Sequence, residues 1–266
     1  MPPVTEDSRR MNRYFIWLAY KGTNYCGWQR QPNGLSVQQC VEEVLETVLR
    51  HPVPLTGAGR TDAGVHARRM AAHFDVSTAL DDTERFAGKL NRMLPQDIAI
   101  ERIVPVRADA HARFDALSRR YQYIVSEKKD PFDYETVCRM SLRGMDFGAM
   151  NEAAETLYDY MDFTSFSKLH TDVKTNNCRI DEARWERDGA RWVFTIQADR
   201  FLRNMVRAIV GTMFEVGRGK RSVDDFRRLI EAKDRCQAGT SAPPEGLALT
   251  GIDYPDDLFI HQMTVG

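Results

Sequence analysis

The sequence predicts an α+β fold in two halves, each a mainly antiparallel sheet with helices packed on one face. Three observations carry that expectation. Short β-prone runs alternate with segments whose apolar residues recur at helical spacing. The same rhythm begins again after a break near residues 107 to 116. A chain of 266 residues has room for one large or two ordinary domains. The expected division is a lead-in over 1–12, an N-terminal half over 13–110 and a C-terminal half over 111–266.

The elements follow in order. Met1 to Arg10 holds no apolar run and reads as a lead-in without fixed structure. Tyr14 to Tyr20 is aromatic and β-prone, which predicts a strand. Ser36 predicts a helix start, with Gln39 placed to complete a capping box. Val37, Cys40, Val41, Val44, Leu45, Val48 and Leu49 then share one helical face. Met70 to Val76 predicts a strand, Thr83 to Met93 a helix, and Ile98 to Val106 a further strand. In the second half, strands are expected over Arg120 to Val125, Ile180 to Glu186 and Arg191 to Ala198, and from Leu247 toward Tyr254. Helices are expected over Phe147 to Tyr158, over Leu202 to Val216 with one apolar side, and after a capping Ser222.

Composition narrows the class. Apolar residues make up 42% of the chain and charged residues 28%, the balance of a soluble globular protein. No apolar run approaches the length of a membrane span. The cysteines (Cys26, Cys40, Cys138, Cys178 and Cys236) are odd in number and form no C-x-x-C pair. That speaks against a disulfide framework or a zinc site, and these features together point to the cytoplasm. A net charge of −1 is not the usual footprint of a nucleic-acid binder. The charge is segregated, however. Arg200 to Arg228 carries eight basic residues against three acidic ones, and Glu127 to Asp159 is mostly acidic. A positive face is therefore expected despite the balance, drawing on Arg60, Arg68, Arg69, Arg203 and Arg218 to Arg221.

The stretch from Gly57 to Ala67 carries the densest chemical signal. Three glycines, Gly57, Gly59 and Gly64, surround one carboxylate, Asp62, with Arg60 two residues before it. Such glycine density predicts a tight loop rather than a helix or strand. A carboxylate beside a cation stays ionised. It can then serve as a nucleophile, a base or a metal ligand, or simply cap a turn. No second acid or histidine has ligand spacing to Asp62, so a metal-dependent hydrolase is disfavoured. His66 reads as a structural or RNA-contact residue. Arg207 lies beside an apolar helix stripe with no acid three or four residues away, so it needs a partner from elsewhere.

Gly59-Arg60-Thr61-Asp62-Ala63-Gly64-Val65-His66 resembles the signature of the tRNA pseudouridine synthase A family. Other stretches match in the same order: Tyr20 to Gln31, His111-Ala112-Arg113-Phe114 with Arg119 to Tyr123, Asp162 to Phe166, Phe201 to Gly211, and Glu245 to Leu249. The resemblance runs from about residue 13 to 255. It implies the pseudouridine synthase fold, two halves with sheets joined side by side and a central catalytic cleft. It also implies a cofactor-independent isomerase, with no metal, acting as a homodimer on uridines at positions 38, 39 and 40 of the tRNA anticodon stem-loop. Asp62 matches the catalytic aspartate, Tyr121 the active-site tyrosine and Arg207 the arginine that pairs with the aspartate. Arg60 matches an arginine that contacts RNA and helps flip the base, and Leu247 an apolar residue lining the uracil pocket. Lys21, Cys26 and the pair Arg69-Met70 depart from the family pattern. Two other readings are a related synthase acting on other RNA uridines and a non-catalytic RNA-binding module; the intact set of Asp62, Tyr121 and Arg207 speaks against the latter.

Overall fold

The structure is a computed structural model that describes residues 11–168 and 175–260. Its strands are β1 (Asn12–Tyr20), β2 (Thr56–Gly57), β3 (His66–Val76), β4 (Ile98–Pro105), β5 (Ser118–Ser126), β6 (Cys138–Arg139), β7 (Ile180–Asp188), β8 (Arg191–Ala198) and β9 (Leu247–Asp253). The α-helices are α1 (Val37–Leu49), α2 (Thr83–Asn91), α3 (Phe147–Thr156), α4 (Met205–Gly217) and α5 (Val223–Ala232). Of the lead-in expected over 1–12, residues 1–10 lie outside the described residues, and Asn12 already pairs with Val76 as the start of β1.

One continuous sheet runs through the described residues in the order β4-β1-β3-β9-β5-β8-β7. Neighbours pair antiparallel except β3 with β9 and β5 with β6. β3 meets β9 only through His66 opposite Ala248 and Ala67 opposite Leu249. That two-residue ladder joins the N-terminal strands to the C-terminal ones, and the loop holding Asp62 leads directly into it. The short strands β2 and β6 carry no periodicity of their own and were not expected. β2 exists because Thr56 and Gly57 pair with β3.

Buried apolar residues form two clusters, one centred on β1, β3 and β4 and one on β5, β7, β8 and α4. Tyr14 through Leu18 of β1 are all buried, so both faces of the sheet are covered there. On one face Phe15 and Trp17 meet Tyr254, and Phe15 also meets Phe259. The chain after β9 thus returns to the first cluster and covers that face of the sheet. Its end is fixed by backbone bonds from Arg107 to Leu258 and from Ile260 to Pro105.

The helices follow their caps. Ser36 accepts from the Gln39 backbone N–H, but the Gln39 side chain donates to Glu43 instead of returning to Ser36. The expected box is therefore half formed, while the reciprocal box appears at Ser222 and Asp225. α4 differs most from expectation. It is buried on nearly every side, because α3 and α5 pack against it while Met213 and Phe214 meet Trp185 and Tyr123 of the sheet. Gly211 permits the closest approach: a Cβ there would lie 1.9 Å from the Thr240 carbonyl. That contact lays the segment 239–242 against α4, beside Arg207.

Candidate active site

The glycine-rich loop after β2 is held from below by the loop after β1. Tyr20, buried, hydrogen-bonds the Thr61 hydroxyl at 2.8 Å. Trp28 donates its backbone N–H to Thr61 at 3.3 Å, and its ring stacks on Tyr20. Gly27 sits at φ +93°, and a Cβ there would lie 2.3 Å from the Thr61 carbonyl. Glycine is required on both counts. Val65 N–H closes the turn onto the Asp62 carbonyl at 3.1 Å. Asp62 is thus presented by backbone that two neighbouring loops brace.

His66 belongs to this bracing. It is buried and opens β3 rather than lying in the loop. Its Nδ1 accepts from the Gly22 N–H at 2.9 Å, which leaves Nε2 to donate to the Glu245 carbonyl at 3.2 Å. Burial lowers its pKa below the usual imidazole value. Both nitrogens are occupied by protein, so the structural reading of His66 holds.

Two arginines approach Asp62 from the other half. Arg207 Nη1 lies 3.7 Å from Oδ2, and Arg203 Nε lies 3.6 Å from Oδ1. Arg207, in the first turn of α4, is tied back by its Nε, which donates to the Ala242 carbonyl at 2.7 Å. The Ala242 N–H in turn donates to the Arg207 carbonyl. Arg203 lies just outside the helix, before Asn204, which takes the left-handed conformation at φ 65°. The sequence reading assigned Arg203 to a general positive face and missed its place beside Asp62. Its position four residues before Arg207, across the helix start, was the available signal.

The cleft above Asp62 encloses about 1030 Å³. Arg30, Arg60, Lys168, Arg203, Arg207 and Arg235 line it, and Asp62 is the single acid among the described residues that line it. Arg60 is exposed there. Of the other cations expected on this face, Arg68, Arg69 and Arg218 to Arg221 are not among the lining residues. Arg69 instead lies over the Trp17 ring and 3.9 Å from Glu101, and Arg221 pairs with Glu215. Lys21, one of the departures from the family pattern, pairs with Glu135 at 2.8 Å.

Tyr121 lies in β5 opposite Leu249 of β9, where the β5–β9 register shifts beside Arg120. The extra residue is Thr250, so the bulge lies in β9 while β5 keeps its regular pairing with β8. Tyr121 is half-buried, with Phe201 edge-on at 5.2 Å. Burial pushes its phenol up to about 12, with Arg119 opposing and the charge of Asp62 adding to the rise. The phenol is therefore neutral at neutral pH, and Tyr121 is not among the residues lining the cleft. Leu247 is buried in the second apolar cluster, opposite Tyr123, and is not among the cleft-lining residues. Among the described residues, no group of three or more His, Cys, Asp and Glu side chains is arranged to hold a metal ion. No helix among the described residues is long and apolar enough to cross a membrane.

Comparisons with known proteins agree with this geometry. A family model described as tRNA pseudouridine synthase matches residues 16–115 and 153–255, and so covers the Asp62 loop, α4 and β9. A tRNA pseudouridine synthase A from Parabacteroides distasonis is 62% identical over 94% of this chain and 98% of its own length. One from Porphyromonas gingivalis is 59% identical over 94% of this chain and its entire length. A more distant one from an Exiguobacterium species keeps 40% identity over 92% of this chain and 98% of its own. The match spans both halves of the sheet and every element that shapes the cleft, and the chain belongs to the tRNA pseudouridine synthase family.

Proposed function

We infer that this protein isomerises uridine to pseudouridine in tRNA, with Asp62 as the catalytic carboxylate. One observation carries the reading: a carboxylate held between two arginines in a cleft whose other charged lining residues, among those described, are all cations. The cations suit a polyanion, and the lone acid is where the chemistry can sit. The reaction breaks the N1–C1′ bond, turns the uracil and joins C5 to C1′. The proton leaves C5 and N1 gains one. Every atom is conserved, so the rearrangement calls for no cofactor.

The roles follow from position. Asp62 meets the nucleoside at the point of rearrangement. Arg207, fixed by Ala242, orients that carboxylate and offsets its charge. Tyr121 offers its ring to the extruded base, and its neutral hydroxyl is placed to pass the C5 proton. Leu247, two pairs along β9 from Leu249, the partner of Tyr121, is the apolar wall behind it. Arg60, exposed at the rim, holds the RNA while the base leaves the stack. The substrates are the uridines at positions 38, 39 and 40 of the anticodon stem-loop, gripped in the cytoplasm by a homodimer. The names of the relatives support tRNA as the substrate class.

The test is direct. Purified protein is incubated with tRNA transcripts carrying uridine at those positions, and pseudouridine is mapped chemically. Product at positions 38 to 40 with the wild type, and none with Asp62→Asn, supports the reading. Product elsewhere moves the assignment to another class of uridine, and none at all removes it. Sedimentation of the same sample tests the homodimer.

A further inference from the structure

We propose that Phe114 is a stacking platform for an unpaired base of the substrate RNA, next to the one that enters the cleft. The proposal rests on the tRNA reading above. Phe114 is 74% exposed, which is unusual for a phenylalanine in a braced loop. The loop is not loose. His111 Nδ1 accepts from the backbone N–H groups of Arg113 and Phe114. The Ala112 N–H donates to His73, and Tyr254 donates to the Ala112 carbonyl. The Phe114 ring lies 4.2 Å from the His111 ring, which supports it from one side. The Arg113 guanidinium lies over the ring at 5.8 Å.

Arg119 connects this platform to the active site. Its guanidinium donates to the carbonyls of Arg113 and Ala58, and also to those of Ala116 and Asp199. One side chain thus ties the Phe114 loop to the loop carrying Arg60 and Asp62. It ties both to the segment that leads to Phe201 and Arg203. Arg119 and Tyr121 are two residues apart on a strand paired regularly with β8, so they project to the same face. The loops of Phe114 and of Arg60 with Asp62 are thus both tied to the face of β5 that carries Tyr121. A strand whose target base is extruded beside Asp62 must continue past Arg60, and Phe114 with Arg113 is the aromatic and cationic surface on that course. Exposed aromatics beside cations are how proteins hold unstacked bases without reading their sequence.

The alternative occupant is the second copy of the chain, and the test separates the two. Phe114→Leu keeps the apolar bulk and removes the π face, while Phe114→Trp keeps the face. Binding of an anticodon stem-loop RNA and its single-turnover rate would be measured, with abasic sites placed one at a time around the target. Phe114→Leu should weaken RNA binding roughly 5- to 100-fold, the range for loss of one base stack, and Phe114→Trp should bind as the wild type does. One abasic position should reproduce the loss, and combining it with Phe114→Leu should add nothing further. Unchanged affinity and rate in Phe114→Leu would overturn the proposal, as would a loss traced by sedimentation to a broken dimer. If the wild type forms no pseudouridine in any tRNA, the functional reading has failed instead.

Discussion

Arg207 and Arg203 reach the same carboxylate but are held differently, and the difference predicts different losses. Arg207 is only 19% exposed in its side chain and anchored by the Ala242 carbonyl, so it cannot leave Asp62 without breaking a second bond. Arg203 is 52% exposed and free to meet phosphate when RNA arrives. A lysine at 207 cannot bond Ala242 and face Asp62 together, because it lacks the guanidinium fork. Arg207→Lys should therefore lower the single-turnover rate by about 100-fold, equivalent to roughly 3 kcal/mol, with tRNA affinity nearly unchanged. Arg203→Gln should do the reverse, weakening affinity more than rate. Asp62→Asn keeps the side-chain shape and removes the negative charge. It should retain tRNA binding and lose turnover by several orders of magnitude; substantial product from a folded Asp62→Asn protein would end its assignment as the catalytic carboxylate. Asp62 was legible because glycines isolate it in sequence. Arg203 was less legible, because its spacing to Arg207 places it beside Asp62 only through the left-handed turn at Asn204.

Strands and helices were the most legible level, and the misses have physical causes. β8 follows from β-branched and aromatic residues, and its bounds match the sequence reading. β3 begins four residues earlier than its apolar run because His66 and Ala67 pair with β9, a partner about 180 residues away in the chain. The loops under Asp62 were the least legible, since Gly27 and Thr61 meet only in three dimensions. Gly27→Ala should cost about 1–2 kcal/mol of stability from its positive φ alone. It should also cut turnover at least about tenfold, because the new Cβ displaces Thr61 and with it Asp62. A thermal melt with a rate assay checks both; full activity would mean that the loop tolerates the shift. The loop at 110–116 gives a pH prediction. Burial lowers the pKa of His73 to about 4, with Arg13 and His111 adding to the drop and Asp75 and Asp115 opposing it. Its folded value lies below the unfolded one, so the unfolded chain binds the proton first. Its contribution is whole above about pH 6.5 and is lost as pH falls toward 4, a span worth roughly 3 kcal/mol. His73→Gln should flatten denaturant-measured stability over that window, whereas a slope equal to the wild type's would remove His73 as the cause.

At the scale of the whole molecule, the residue patterns predict two α+β units but not the strand pairings that join them. The two-residue ladder between β3 and β9 and the return of the chain after β9 to the first core are long-range pairings without a local signature. The charge distribution was half legible for the same reason. The basic excess near Arg200 to Arg228 is visible in sequence, but which cations face the cleft depends on the packing of α4 and of the segment 239–242. That packing brings Arg235 into line with Arg203, through Ser241, which accepts from Arg235 and from Asn204. It leaves Arg102 over the Trp17 ring and outside the cleft lining. A near-neutral protein should therefore bind tRNA with a steep salt dependence. Arg203→Gln and Arg235→Gln should each weaken all tRNA substrates alike and lower the slope of log affinity against log salt by about one. Arg102→Gln should leave the slope unchanged. Arg60→Ala should fall outside this series, with the single-turnover rate reduced more than affinity, because a residue that helps extrude the base acts in the transition state. Binding measured at several salt concentrations, beside single-turnover rates, separates these cases. Equal losses of affinity in all four variants would mean that RNA meets the protein by its overall field rather than by this cleft.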